Sequence, residues 1–221
     1  MSNGATRASP RWLTQWGSRM RRLLIAALPL LSGAGLLLHI HLGGPLLLML
    51  VIAGVPLSLA AWLAWRGCGV GVQARLRRRA RVGAWAGLCA TAAYDAVRWL
   101  MLRIFDFQFQ PFDIFPLFGR LLLGPQAAAA PACVAGLLFH VCNGVGFAVA
   151  YTLLFARRGC WAGMAWALAL EAIMLLVYPS WLHIRALGEF RAVSLVGHFT
   201  YGGVLGTLAA LWLGSEPGGQ P

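Results

Sequence analysis

From Leu23 to Trp65 the chain carries no Asp, Glu, Lys or Arg. That apolar run is too long for one membrane crossing of roughly 20 residues and right for two. It breaks at HLGGP (41–45), where Gly-Gly-Pro stops a helix and permits a tight turn. Continuing along the chain, the apolar stretches predict helices over about 23–40, 46–65, 82–104, 128–156, 160–179 and 192–213. The expected fold is all-α, a polytopic membrane protein with six transmembrane helices. GVQARLRRRARVG lies between the second and third spans, and residues 66–81 are expected to form an Arg-rich loop. The Phe-rich segment 105–126 is too polar and too Pro-broken to cross. It reads as interfacial or re-entrant, with its aromatic rings at headgroup depth.

The polar positions inside these spans are written twice. GAWAGLCATAAYDA (83–96) and GCWAGMAWALALEA (159–172) share six of fourteen positions, and Asp95 in the first is answered by Glu171 in the second. On a helix, residues four apart share a face. Gly83, Gly87, Thr91 and Asp95 therefore form one ladder, and Gly159, Gly163, Ala167 and Glu171 another. Small-xxx-small tracks let helices approach closely where packing must drive association. The helices that follow carry matching ladders, His140, Gly144, Ala148 and Thr152 in one and His198, Gly202 and Gly206 in the other. Helices 3–4 and 5–6 are thus expected to be parallel hairpin repeats, spanning 82–156 (with the outer segment 105–126) and 157–213.

Composition fits this picture: 60% of residues are hydrophobic and 11% charged. A net charge of +12 in a soluble protein would suggest nucleic acid. Here the Arg clusters flank apolar spans, so nucleic acid is excluded, and the bilayer, with anionic lipid at the Arg-rich cytoplasmic segments, is the expected partner. With the N-terminus inside, thirteen Arg fall on the cytoplasmic side and four outside, so both termini are expected in the cytoplasm. Residues 1–22 form a basic tail, 23–65 the first two spans, and 214–221 a short tail. The start resembles a signal peptide, but SGAG (32–35) is a poor cleavage site and the apolar sequence runs on, so a retained first helix is expected. The five Cys show neither C-x-x-C nor zinc-ribbon spacing and are expected as small hydrophobes.

An ionisable group at mid-membrane costs roughly 2.5–3.5 kcal/mol and is by default functional. Asp95, Arg98, His140, Glu171 and His198 must therefore face the bundle interior or water, with Asn143 and Tyr178 completing a polar lining. Arg98, one turn from Asp95, either neutralises it or snorkels outward. The first functional reading is a site handling a proton, an ion or a small polar solute through the acid–His cluster. In the second, a non-catalytic accessory or structural protein uses the same acid–His pairs to fix helix packing. A metal-dependent intramembrane enzyme is the third, with His140, His198 and Glu171 as zinc ligands. No H-E-x-x-H is present, and Thr91, Cys142, Tyr94 and Thr200 are nearby nucleophiles without a signature. No cofactor is implied. A second copy or a larger membrane complex is compatible with the pattern. His39 and His41 sit at the outer turn, where two His without further ligands mark an interfacial loop.

Through Gly83, Ala86, Gly87, Ala90, Thr91 and Asp95, followed by His140 and Gly144, the last four spans resemble a family of small bacterial inner-membrane proteins, broadly YagU-like. The second copy departs from that pattern with Ala167 for Thr and Glu171 for Asp. The resemblance implies a bacterial inner-membrane location and no particular chemistry.

Overall fold

The computed structural model describes residues 11–214, with side chains from residue 17. Residues 1–10 of the basic tail and 215–221 of the short tail lie outside the described residues. The described chain is helical throughout: α1 (Arg11–Ala27), α2 (Leu31–Leu42), α3 (Leu46–Arg66), α4 (Val70–Ile104), α5 (Ile114–Leu123), α6 (Ala129–Phe155), α7 (Cys160–Trp181) and α8 (Leu187–Leu213), with no strand among these residues. A 3-10 turn at Leu28–Leu30, containing Pro29, joins α1 to α2, and a second at Pro111–Asp113 precedes α5.

Five stretches are long and apolar enough to cross a membrane: Gly17–Leu42, Leu46–Arg66, Ala129–Phe155, Cys160–Trp181 and Leu187–Leu213. Their outward faces are as apolar as their cores. On α3 the ladder Leu47, Val51, Val55, Leu59 and Leu63 is more than half exposed at every step, a surface suited to lipid rather than water. α4 is not among the five. Asp95, Arg98 and Arg103 dilute its apolar half, and the other half is the Arg-rich segment.

The break at HLGGP falls where the sequence puts it. α2 ends on Gly43 in the left-handed region (φ 71°), whose N–H reaches the His39 carbonyl at 2.9 Å, and Pro45 caps α3. The Arg-rich segment differs from the expected loop. It is helical from Val70 onward and continuous with the third apolar span, because Arg is a good helix former and nothing between Val72 and Val82 breaks the turn. At 35 residues α4 is about 52 Å long, well beyond a hydrocarbon core of about 30 Å.

α4 packs between α6 and α8, α8 packs on α7, and α5 folds back along α6. α6 and α7, although consecutive, meet only weakly. One buried cluster joins Ala86, Ala90, Ala148, Tyr151, Ala167, Tyr201, Leu205 and Ala209 from α4, α6, α7 and α8. Another joins Leu36, Leu46, Phe118 and Phe139. The Phe-rich segment is therefore part of the packed bundle and not a surface strip: Phe115 and Phe118 are buried, and Phe109 meets Phe190 edge-on at 5.3 Å.

Candidate functional site

Two seams of small residues bring the polar groups together. Along the first, Gly83 faces Thr152 and Val149, Gly87 faces Ala148 and Val145, and Thr91 faces Gly144. One further turn along, Asp95 meets His140, with Oδ2 3.1 Å from Nε2. The pairing descends on α6 as it rises on α4, so the two helices are antiparallel. Along the second seam Gly159 faces Gly206 and Gly163 faces Gly202, close enough that a Cβ at Gly163 would fall on the Gly202 carbonyl. Above them His198 Nδ1 lies 2.9 Å from Glu171 Oε2 and the same distance from the Ser194 carbonyl. Ser194 Oγ donates to Glu171 Oε2 at 2.9 Å.

Tyr94 connects the two pairs. Asp95 faces α6, and its neighbour Tyr94 turns toward α8, where its ring meets His198 edge-on at 5.1 Å and His140 at 5.8 Å. Gly197 makes room for it, since a Cβ there would come within 2.7 Å of the Tyr94 ring. Asp95, His140, Tyr94, His198, Ser194 and Glu171 thus form a contiguous polar strip across α4, α6, α7 and α8.

Arg98 turns inward and does not snorkel. It is 5% exposed, with Nη1 3.0 Å from Asp95 Oδ1 and Nη2 donating to the Pro111 carbonyl at 2.8 Å. Its guanidinium stacks over Tyr94 and Phe112, 4.6 and 5.2 Å from the ring centroids. The Phe-rich segment therefore closes over the charged pair, and Pro111 supplies the acceptor that a buried guanidinium needs. Glu189 anchors the same segment by accepting from the Phe109 N–H at 2.8 Å. Replacing Glu189 by Ala should cost about 1 kcal/mol locally and speed hydrogen exchange at the Phe109 amide roughly fivefold, read by mass spectrometry of peptides spanning 105–113.

Tyr94, His140, Ser194 and His198 of the strip form one wall of a cavity of about 470 Å³, while Asp95 and Glu171 stand outside its lining, each paired to its imidazole. The opposite wall is apolar, with Phe147 from α6, Leu170 and Met174 from α7, and Ile114 and Phe118 from α5. The cavity occupies the space that α6 and α7 leave between them, and Gln108, Gln110 and Arg185 lie at its polar end. Tyr178 and Asn143 also line it. Among the described residues three buried oxygens have no partner: Thr91 Oγ1 and Asn143 Oδ1, whose residues line the cavity, and Glu171 Oε1 behind it. Orphaned buried acceptors are rare in folded proteins and point to a polar species that completes them.

The structure therefore places Arg98, His140, Asn143, Tyr178 and His198 around one space, with Asp95 and Glu171 outside its lining but paired to His140 and His198, and with the eight packing residues Gly83, Gly87, Thr91, Gly144, Gly159, Gly163, Gly202 and Gly206 along the two seams. It does not make the zinc triad of His140, His198 and Glu171: among the described residues no three His, Cys, Asp or Glu side chains group to hold a metal, because each imidazole is taken up by its own acid on its own seam. His39 and His41 are not a ligand pair either; their Nδ1 atoms donate to the Gly44 and Leu37 carbonyls at 2.6 and 2.8 Å. Cys142 is exposed, and Thr200 is half-buried with its hydroxyl donating to the Val196 carbonyl at 2.9 Å. Ser194 was legible as a residue four positions before His198, on the same helical face.

These features fit one class, the multi-pass, all-helical membrane proteins. Comparison with protein families, curated proteins and solved structures finds no match to this chain.

Proposed function

We propose that the chain is a six-span protein of a bacterial inner membrane that binds a small polar solute or cation beside Tyr94 and moves protons with it. The carrying observation is convergence: two acid–imidazole pairs from separate seams both present their imidazoles to the lining of one cavity. A pair whose task is only to lock two helices has no need of a shared space. Imidazole is the side chain that changes charge between about pH 5 and 8, and here each is held by a carboxylate that can receive or return its proton. The unfilled oxygens of Thr91 and Asn143 belong to residues of the cavity lining and can accept hydrogen bonds, so the fitting solute carries hydrogen-bond donors.

In this reading α4 is the sixth span, sheltered by α6 and α8. The α4–α6 and α7–α8 hairpins descend from one duplicated unit. Both α4 and α7 run antiparallel to α8, since Arg78 reaches the Trp212 carbonyl while Tyr94 meets His198, and Gly159 faces Gly206 while Glu171 meets Ser194. The copies have diverged where α6 and α7 part to make the cavity. The excess of Arg at the α1 end supports cytoplasmic termini.

The packing reading draws on a specific observation too, because each acid sits at the head of a small-residue seam. Reconstitution separates the two. The protein is placed in liposomes containing a pH-sensitive dye, a pH step is imposed, and His140→Gln and His198→Gln are compared singly with the parent. Proton flux should fall about tenfold or more in either variant while the melting temperature stays within a few degrees. Unchanged flux together with a lowered melting temperature would leave packing as the sole role of the pairs.

A further inference from the structure

The two acid–imidazole pairs share a pattern and differ in charge. Three residues after Asp95 stands Arg98; three residues after Glu171 stands Met174, and both Arg98 and Met174 line the cavity. Four residues before His140 is Gly136, whereas four before His198 is Ser194, which donates to Glu171. The first pair therefore holds a permanent cation and the second does not. With a neutral His140, Asp95 is still balanced by the guanidinium 3.0 Å away. With a neutral His198, Glu171 keeps only neutral donors, since among the described residues that imidazole is its one ion-pair partner.

Burial turns this difference into a requirement. Glu171 is 1% exposed, and its Oε1 accepts no hydrogen bond. A carboxylate so enclosed needs one positive charge close by. A proton on His198 supplies it, and so does a cation in the cavity that His198 lines. The neighbouring groups leave this balance alone. From α4, Tyr94 meets the His198 ring, and Arg98 is engaged by Asp95. His140 on α6 is held by the same Asp95, and Tyr201 on α8 donates to the Gly144 carbonyl. Tyr178 of α7 is a neutral phenol, and Asp113 and Arg185 line the cavity with opposite charges. Both neighbours of His198 Nδ1, the Ser194 carbonyl and Glu171 Oε2, are acceptors, so Nδ1 keeps its hydrogen throughout. The proton that comes and goes is on Nε2.

We infer that the cavity takes a monovalent organic ammonium ion in exchange for the proton on His198, with the Glu171 carboxylate as the charge that each of them neutralises. This deepens the reading given to the cavity and rests on it. In the exchange the Nε2–H bond breaks, the proton passes to water, and the ammonium replaces its charge. The Asp95–Arg98–His140 group is indifferent to the exchange. An inorganic ion needs a shell of several oxygens. The lining around His198 instead offers Tyr94, Tyr201, Phe190, Leu170 and Met174, which suit an ammonium carried on an apolar body.

The test uses the full chain purified in a nonionic detergent and isothermal titration calorimetry with phenethylammonium across about pH 5 to 8, where imidazole changes charge. Repeating each titration in two buffers of different ionisation enthalpy counts the protons released. One proton should leave for each ammonium bound at the acid end. Because the cation selects neutral His198, affinity should rise about tenfold per pH unit and level off once that proton is lost. Phenethyl alcohol, the neutral counterpart, should release no proton, and potassium should not compete. Glu171→Gln, which keeps the shape and removes the charge, should weaken ammonium binding about tenfold or more and release no proton. His140→Gln should keep the parent's proton count. Circular dichroism melts show whether the variants are folded, and the parent's proton count decides the matter where one is not. Ammonium binding without proton release, binding that survives Glu171→Gln, or a proton count lost in His140→Gln overturns the exchange; competition by potassium overturns the organic cation. Failure of the cavity reading itself is distinct: neither ammonium nor alcohol binds, and liposome proton flux is unchanged by either His substitution.

Discussion

Gly136→Ala is expected to unseat α5 from α6 and lower the melting temperature in mild detergent by roughly 6–12 °C, the shift that about 3 kcal/mol produces in a chain of this size. A methyl group there would land on the carbonyl oxygen of Phe115, and one at Gly119 would land on that of Ala132. Both obstacles are backbone, so no rotamer change relieves them. The two glycines let α5 lie against α6 at main-chain distance, and that approach seats Phe115 beside His140, with ring centroids 5.2 Å apart. Gly188→Ala is the control: nothing lies within 4 Å of its added Cβ, and its melting temperature should stay at the parent value. A Gly136→Ala protein that melts with the parent would mean that the α5–α6 contact adjusts at no cost.

Arg98→Met should be at least as damaging, at about 3–5 kcal/mol, because it strips one partner from a buried charge pair. Asp95 would keep His140 and lose its closer partner, and the Pro111 carbonyl would lose its donor. The same substitution should loosen residues 105–113, since Pro111 is tied to the bundle through that guanidinium. The diagnostic measurement is a double-mutant cycle with Asp95→Asn. Removing the carboxylate's charge as well should recover a large part of the loss, giving a coupling of about 2 kcal/mol or more between the two sites. Strictly additive losses would show that Arg98 acts through packing on Tyr94 and Phe112 alone.

The long apolar runs, the break at 41–45 and the two small-residue ladders were all legible in the sequence, because helical periodicity and Gly-Gly-Pro chemistry act locally. The acids and imidazoles stood out for the same reason, each being a costly group in an apolar stretch. The residues joining them did not. Tyr94 was visible only as a nucleophile without a signature, since its reach to α8 depends on which helix packs on the second face of α4, and neither ladder encodes that. Arg98 was left between two directions because the deciding partner, the Pro111 carbonyl, is a backbone atom on a segment expected at the interface. The role of Glu189 was equally hidden, as its partner is the Phe109 N–H. The cavity is the least legible feature: it arises from two helices failing to pack, and a single sequence carries no pattern for an absent contact.

α4 touches both α6 and α8, and it is also the helix whose composition is least suited to entering lipid alone. Its partners emerge from the ribosome well after it does. During biogenesis the segment must therefore wait, shielded by the insertion machinery or lying at the bilayer surface, until the later helices are made. A ribosome stalled soon after α5 would hold a chain whose Asp95 and Arg98 have no finished enclosure to occupy.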